Sequence, residues 1–148
     1  MPLVVIITLK YPVPPCHHRS MKFTNLLIWS QENKVSEKFY KKLGFAVTVS
    51  TDGYSEVKLD DFEMVIVNMR DEDEFNGDSL SGDKGRGMYI YIRVDDVDAE
   101  YDRQVGLGLQ PHTQPRDWDW GNREFITKDP DGYKLCFWQP LNRRIDHK

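Results

Sequence analysis

From Met21 onwards, apolar and polar positions follow one grammar, and the chain runs through it twice. Lys22 to Trp29 reads as a strand dominated by aromatic and aliphatic residues. Val35, Phe39 and Leu43 then recur at helical spacing, with Asn33 placed to cap the helix and Gly44 to stop it. Three further strands are predicted at Ala46 to Ser50, Ser55 to Leu59 and Phe62 to Asn68, separated by the turns Thr51-Asp52-Gly53 and Asp60-Asp61. The second pass opens with a strand over Met88 to Val94. A helix follows with Val97, Tyr101 and Val105 at the same spacing, Asp95 or Asp96 as cap and Gly106 as stop. Strands around Gln110 to Thr113, Arg123 to Thr127 and Lys134 to Trp138 complete it, the last two joined by the turn Asp129-Pro130-Asp131-Gly132. The two helices align at one constant offset, so each half is a βαβββ module and the chain is an internal duplication. The predicted class is α+β: two tandem modules, about 21–70 and 86–140, forming a curved mixed sheet with the helices outside. A four-stranded sheet with one covering helix leaves its other face to pack or bind, and two such faces make an inner cleft.

The segments around this domain, 21–142, read differently. Residues 1–20 are expected to be an N-terminal extension: an apolar stretch from Pro2 to Leu9 runs into Pro12, Pro14 and Pro15, which continue neither a helix nor a central strand. No basic region precedes that stretch, so it does not read as a secretory signal. Cys16, His17 and His18 lie beside these prolines and read as part of a tail rather than as metal ligands. Between the modules, Arg70 to Arg86 holds Asp71-Glu72-Asp73-Glu74 and several glycines, as a polar, solvated linker would. Residues 143–148 form a C-terminal tail.

Composition narrows the function classes. At 148 residues and a formal charge of −4, the chain suits one domain and is a poor match for a phosphate-dominated nucleic-acid binder. No apolar run approaches the roughly 18 residues that cross a bilayer, so no membrane partner is expected. The two cysteines, Cys16 and Cys136, form no CxxC pair, which fits neither a disulfide scaffold nor a structural zinc site and suits a reducing, cytoplasmic setting.

The duplication, the run Phe39-Tyr40-Lys41-Lys42-Leu43-Gly44-Phe45 and the run from Arg123 to Gly132 with its Asp-Pro-Asp-Gly turn resemble the vicinal-oxygen-chelate superfamily of glyoxalases, bleomycin-resistance proteins and extradiol dioxygenases. The resemblance covers about residues 21–140. It implies paired βαβββ modules, a homodimer and a U-shaped cleft on the inner sheet surface. It also implies where a divalent metal would be held in the enzymes of the group. Those positions fall here on Asn25, Tyr89 and Cys136, with Val65, Val67 or Asn68 on the fourth strand, a set short of carboxylate and imidazole donors. Neither metal nor cofactor is therefore expected. Cys136, between Leu135 and Phe137, reads as a buried structural thiol in preference to a thiolate ligand.

Strand alternation groups Asn25 with Trp29, Tyr89 with Tyr91 and Arg93, and Cys136 with Trp138. The expected ligand-binding set is therefore Asn25, Trp29, Tyr89, Tyr91, Cys136 and Trp138, joined by the rim indoles Trp118 and Trp120 with Asp119 between them. For Trp29 and Trp138, pocket lining and core filling stand level. Arg93 serves equally as an anion anchor or as a carboxylate's partner. The run Trp120-Gly121-Asn122-Arg123-Glu124-Phe125 resembles that of the bleomycin-resistance proteins in particular, and Glu124 within it reads as structural. The expected function is non-catalytic binding of an aromatic or cationic small molecule. The alternatives are a metal-dependent lyase or dioxygenase with a non-standard site drawing on His112, Glu63 or Glu124, and a scaffold that binds protein through Trp118 to Trp120.

Overall fold

The computed structural model describes residues 21–69 and 84–141. The extension with Cys16, His17 and His18, most of the acidic linker and the C-terminal tail lie outside the described residues. The first module comprises β1 (Leu26–Ser30), α1 (Asn33–Leu43), β2 (Ala46–Ser50), β3 (Tyr54–Leu59) and β4 (Phe62–Asn68). The second comprises β5 (Ile90–Arg93), α2 (Val97–Gly106), β6 (Arg116–Asp117), β7 (Asn122–Lys128) and β8 (Lys134–Pro140). Each forms a four-stranded mixed sheet of the same topology, β1-β4-β3-β2 and β5-β8-β7-β6. The first and last strands of each module run parallel, Leu26 beside Met64 and Ile90 beside Leu135, and the other pairs are antiparallel. The duplication read from the sequence is thus a duplication of structure. α1 packs on β2, β3 and β4, and α2 on β7 and β8.

The helices turn inward on faces that differ from the expected stripes. In α1 the buried residues are Asn33, Ser36, Tyr40 and Leu43, while Val35 is exposed. Glu32 occupies the cap position and Asn33 lies within the first turn. The Asn33 amide nitrogen donates to the Thr51 carbonyl at 2.9 Å and to Ser55 Oγ at 2.8 Å, fastening the start of α1 to the β2–β3 end of its sheet. Gly44, at φ 112°, closes the helix in a left-handed conformation that most side chains resist. In α2, Asp96 caps the helix by accepting from the Ala99 N–H at 3.0 Å. Gln104 rather than Val105 is buried there; its Oε1 accepts from Thr127 Oγ1 at 2.6 Å.

Ser36 and Tyr40 face inward on α1 because they meet the other module. Tyr40 Oη donates to Asp129 Oδ2 at 2.7 Å, and Ser36 Oγ to Asp131 Oδ2 at 3.0 Å. The Gln31 N–H donates to Asp131 Oδ1, and the Trp29 N–H to the Tyr133 hydroxyl. The Asp-Pro-Asp-Gly turn between β7 and β8 is therefore a joint as well as a turn. On its other side Arg103 of α2 donates to the Lys42 and Leu43 carbonyls, two of the acceptors that the C-terminus of α1 leaves unpaired. Apolar residues of both modules form one core, among them Ile28, Met64, Ile66, Phe125, Leu135 and Phe137.

One strand lies away from its expected place. Between Pro111 and Pro115 the chain bonds to β7 at Ile126, whose carbonyl accepts from the His112 and Thr113 N–H groups and whose N–H donates to Thr113 Oγ1. Ladder pairing begins at Arg116, beyond the second proline.

Candidate functional site

In β7 and β8 every second side chain points away from the helices. Glu124 and Ile126 of β7, Cys136 of β8 and Tyr89 and Tyr91 beside them line a cavity of about 630 Å³ on the open face of the second sheet. Cys136 stands opposite Tyr91 on one side and Ile126 on the other. The loop from Thr113 through β6 to Trp120 forms the wall.

Trp118 and Trp120 stack there, with ring centroids 4.3 Å apart and planes 15° from parallel. The Arg116 guanidinium carbon lies 3.6 Å from the Trp118 ring centroid. With the two indoles this close, that cation occupies the face of Trp118 turned away from Trp120. The result is a column, Arg116 on Trp118 on Trp120, in which Trp120 remains 59% exposed.

Beneath the column lies Glu124, 5% exposed. Its Oε1 accepts from Trp120 Nε1 at 3.0 Å and from the Asn122 amide at 3.1 Å, and its Oε2 accepts from the Cys136 thiol at 3.5 Å. Burial, reinforced by the neighbouring Glu124 carboxylate, pushes the Cys136 thiol up to about 12. The Tyr91 phenol is raised in the same direction, by solvent lost at its hydroxyl and by the neighbouring Cys136 and Glu124, although the residue as a whole is about half exposed. Both groups keep their protons at neutral pH, so the floor offers one carboxylate, one thiol and one phenol. Such a set can accept or donate hydrogen bonds but contains no ready nucleophile.

A larger cavity, about 720 Å³, lies where the modules meet and is walled by apolar residues such as Leu26, Phe45, Phe62, Ile92 and Phe137. Its charged residues include Glu100 and Arg103, which are already paired with each other. Convergent polar chemistry belongs to the smaller cavity, which is the candidate site.

Five of the eight residues expected at the site line this cavity: Tyr89, Tyr91, Trp118, Trp120 and Cys136. Asn25 is exposed just ahead of β1. Trp29 is partly buried on β1 and held through its backbone by Tyr133. Trp138 is partly buried on β8, with Arg93 5.7 Å from its ring centroid. None of these three lines either cavity. Glu124 and Arg116 join the site. Glu124 shares the parity of Ile126, which faces Cys136 across the β7–β8 pair, but only the observed register tells which parity of β7 faces the cavity. His112 is exposed, and Glu63 pairs with Lys58 at 3.3 Å.

The sequence matches the family model for the Glyoxalase/Bleomycin resistance protein/Dioxygenase superfamily over residues 25–137. The chain belongs to that superfamily. Among solved structures, a member of this superfamily from Nocardioides is similar over 92% of this chain and 88% of its own, with 18% identity and a TM-score of 0.71. A bleomycin-binding protein solved with bleomycin is 21% identical, covering 80% of this chain and 98% of its own, with a TM-score of 0.58. A lactoylglutathione lyase from Agrobacterium tumefaciens is 18% identical, covering 84% and 94%, with a TM-score of 0.60. At such identities the likeness is one of fold. Among curated proteins no sequence match is found.

Enzymes of this superfamily raise the question of a divalent metal. Among the described residues no three His, Cys, Asp or Glu side chains come together to hold one. In the candidate cavity the carboxylate and thiol donors are Glu124 and Cys136. The carboxylate is already engaged by Trp120 and Asn122, and the thiol strongly resists ionisation. This donor set does not fit a divalent ion. No helix among the described residues is long and apolar enough to cross a membrane.

Proposed function

We propose that this superfamily member is a non-catalytic binding protein that sequesters an aromatic or cationic small molecule in the second module's cavity, in the manner of a bleomycin-resistance protein. The observation that carries the reading is the stacked indole pair whose outer member is both exposed and bonded to a buried carboxylate. Stacking on an exposed indole contributes through apolar burial and through attraction between cation and ring, roughly 0.5 to 2 kcal/mol per contact. The protein is expected to act as a cytoplasmic homodimer. Leu27 on the first sheet, about half exposed, favours a second copy covering that face.

A tryptophan-fluorescence titration of the full chain with metal-free bleomycin tests the reading. Saturable quenching at micromolar or tighter affinity is expected. In Trp120→Ala that affinity should fall by more than about 1 kcal/mol while circular dichroism shows the fold retained, the lost bond to Glu124 lowering the melting temperature only modestly. A large drop in melting temperature with unaltered affinity would assign Trp120 to packing and remove the main support. Light scattering at the concentrations used should give the mass of a dimer.

A further inference from the structure

Glu124 is a buried carboxyl side chain with no ion-pair partner among the described residues. Arg116 stands opposite it in the β6–β7 register, yet the Arg116 guanidinium lies on the outer face of Trp118. Lys134, on the neighbouring strand, holds its ammonium 5.3 Å from the Tyr89 ring centroid. Both of these cations are held over an aromatic face instead. The hydrogen bonding is equally lopsided. A carboxylate offers about four acceptor sites, two on each oxygen. Oε1 receives two N–H donors, whereas Oε2 receives only a thiol at 3.5 Å, a weak donor. A buried carboxylate in this condition is costly unless something charged completes it.

We infer that the ligand is a flat aromatic cation with its charge on an N–H edge, of the amidinium or guanidinium kind, stacked on Trp120 and bonded through that edge to Glu124. The inference rests on the binding function proposed above and adds the ligand's charge, its hydrogen-bonding edge and its direction of entry. Trp118 covers one face of Trp120, and the exposure of Trp120 leaves the other to a ligand ring. The Trp120 Nε1 bond fixes the carboxylate at the indole's edge, so a ring lying along the indole brings its own edge to the same group. Arg116 lies at the far end of the column, two rings away, where it does not oppose a cation. A quaternary ammonium would supply charge without N–H donors and leave Oε2 as poorly bonded as before.

Isothermal titration calorimetry of the full chain at neutral pH with three naphthalene probes separates these demands. They are 2-naphthamidine, the neutral 2-naphthamide and 2-naphthyltrimethylammonium. The amidine is expected to bind at least about tenfold more tightly than either of the others, as a charge-assisted bond to a buried acceptor requires. In Glu124→Gln, checked for fold by circular dichroism, the preference should shrink to within about threefold while the amide still binds. Equal binding of amide and amidine would overturn the inference and leave the pocket a reader of flat rings, with the binding function intact. Equal binding of the quaternary probe and the amidine would overturn it by showing that charge suffices without the N–H edge. If none of the three binds, both the inference and the proposed pocket fall. Should the Gln variant fail to fold, the probe series on the unaltered chain still decides.

Discussion

Asp129 lies at the joint between the modules, 5% exposed, with Tyr40 donating to Oδ2 and the Asp131 and Tyr133 N–H groups to Oδ1. These three bonds favour the carboxylate. Burial outweighs them, and with the nearby Asp131 charge it raises the group from an ordinary 3.8 to about 6. At 1.36 kcal/mol per pH unit the difference amounts to about 3 kcal/mol between the protonated and ionised forms in the fold. Because the folded value is the higher one, Asp129 contributes its stability fully below about pH 4. That contribution is lost as pH rises through about 6, and above this the buried charge opposes folding. Asp129→Asn removes the titration while leaving Oδ1 for the two backbone donors. The Tyr40 hydroxyl can reverse its role and accept from the new amide. Urea unfolding of both proteins, followed by circular dichroism at half-unit steps from pH 4 to 7.5, should show the difference in stability shifting by about 2.5 kcal/mol in the variant's favour across that window. Other titrating groups act in both proteins and cancel in the difference. Parallel stability curves would refute the reasoning, because they would mean that Asp129 titrates alike in the folded and unfolded chain.

The Cys136 thiol, raised to about 12, should react with iodoacetamide at pH 8 far more slowly than in the urea-unfolded chain; rates measured by mass spectrometry in a Cys16→Ser background should differ by more than about a hundredfold. Arg103→Ala removes the donors to both terminal carbonyls of α1 and should cost about 1 to 3 kcal/mol in urea unfolding, with Arg103→Lys recovering less than half because its single ammonium replaces a two-pronged guanidinium. Gly44→Ala should cost about 1 kcal/mol. At that position nothing lies within 4 Å of an added Cβ, so the cost is purely conformational and a change below about 0.3 kcal/mol would contradict it.

What the sequence made legible was whatever depends on near neighbours. β2 and β4 occupy the expected residues, and Asp96 and Gly44 bound their helices as read, because alternation, capping and left-handed glycine are local properties. β1 begins at Leu26 rather than at Lys22 because its ladder with β4 starts there, opposite Met64. Tyr40 and Ser36 face inward because of partners about ninety residues away, a pairing that no helical period reveals. The site divides in the same way. Aromatic residues on strands and at the rim were visible as types, and five of them, with the thiol counted among them, share a cavity. Glu124 reads as structural in the sequence because the parity of β7 is settled by register with β8, and Arg116 is missed because its place depends on the stacking of Trp118 on Trp120.

The joint at Asp129 to Tyr133 has a use in engineering. It joins β1 and α1 of one module to the turn between β7 and β8 of the other, through Trp29, Gln31, Ser36 and Tyr40 on one side and Asp129, Asp131 and Tyr133 on the other. Two fragments divided between β4 and β5 would each carry one half of this joint, Tyr40 and Ser36 on one and the acidic turn on the other. Fused to the halves of a reporter, they form a split pair whose reassembly is driven by the shared apolar core and tuned by the hydrogen bonds of the joint, with the binding cavity wholly on the second fragment. In such a device Tyr40→Phe would act as a dial for reassembly strength, leaving the recognition surface untouched.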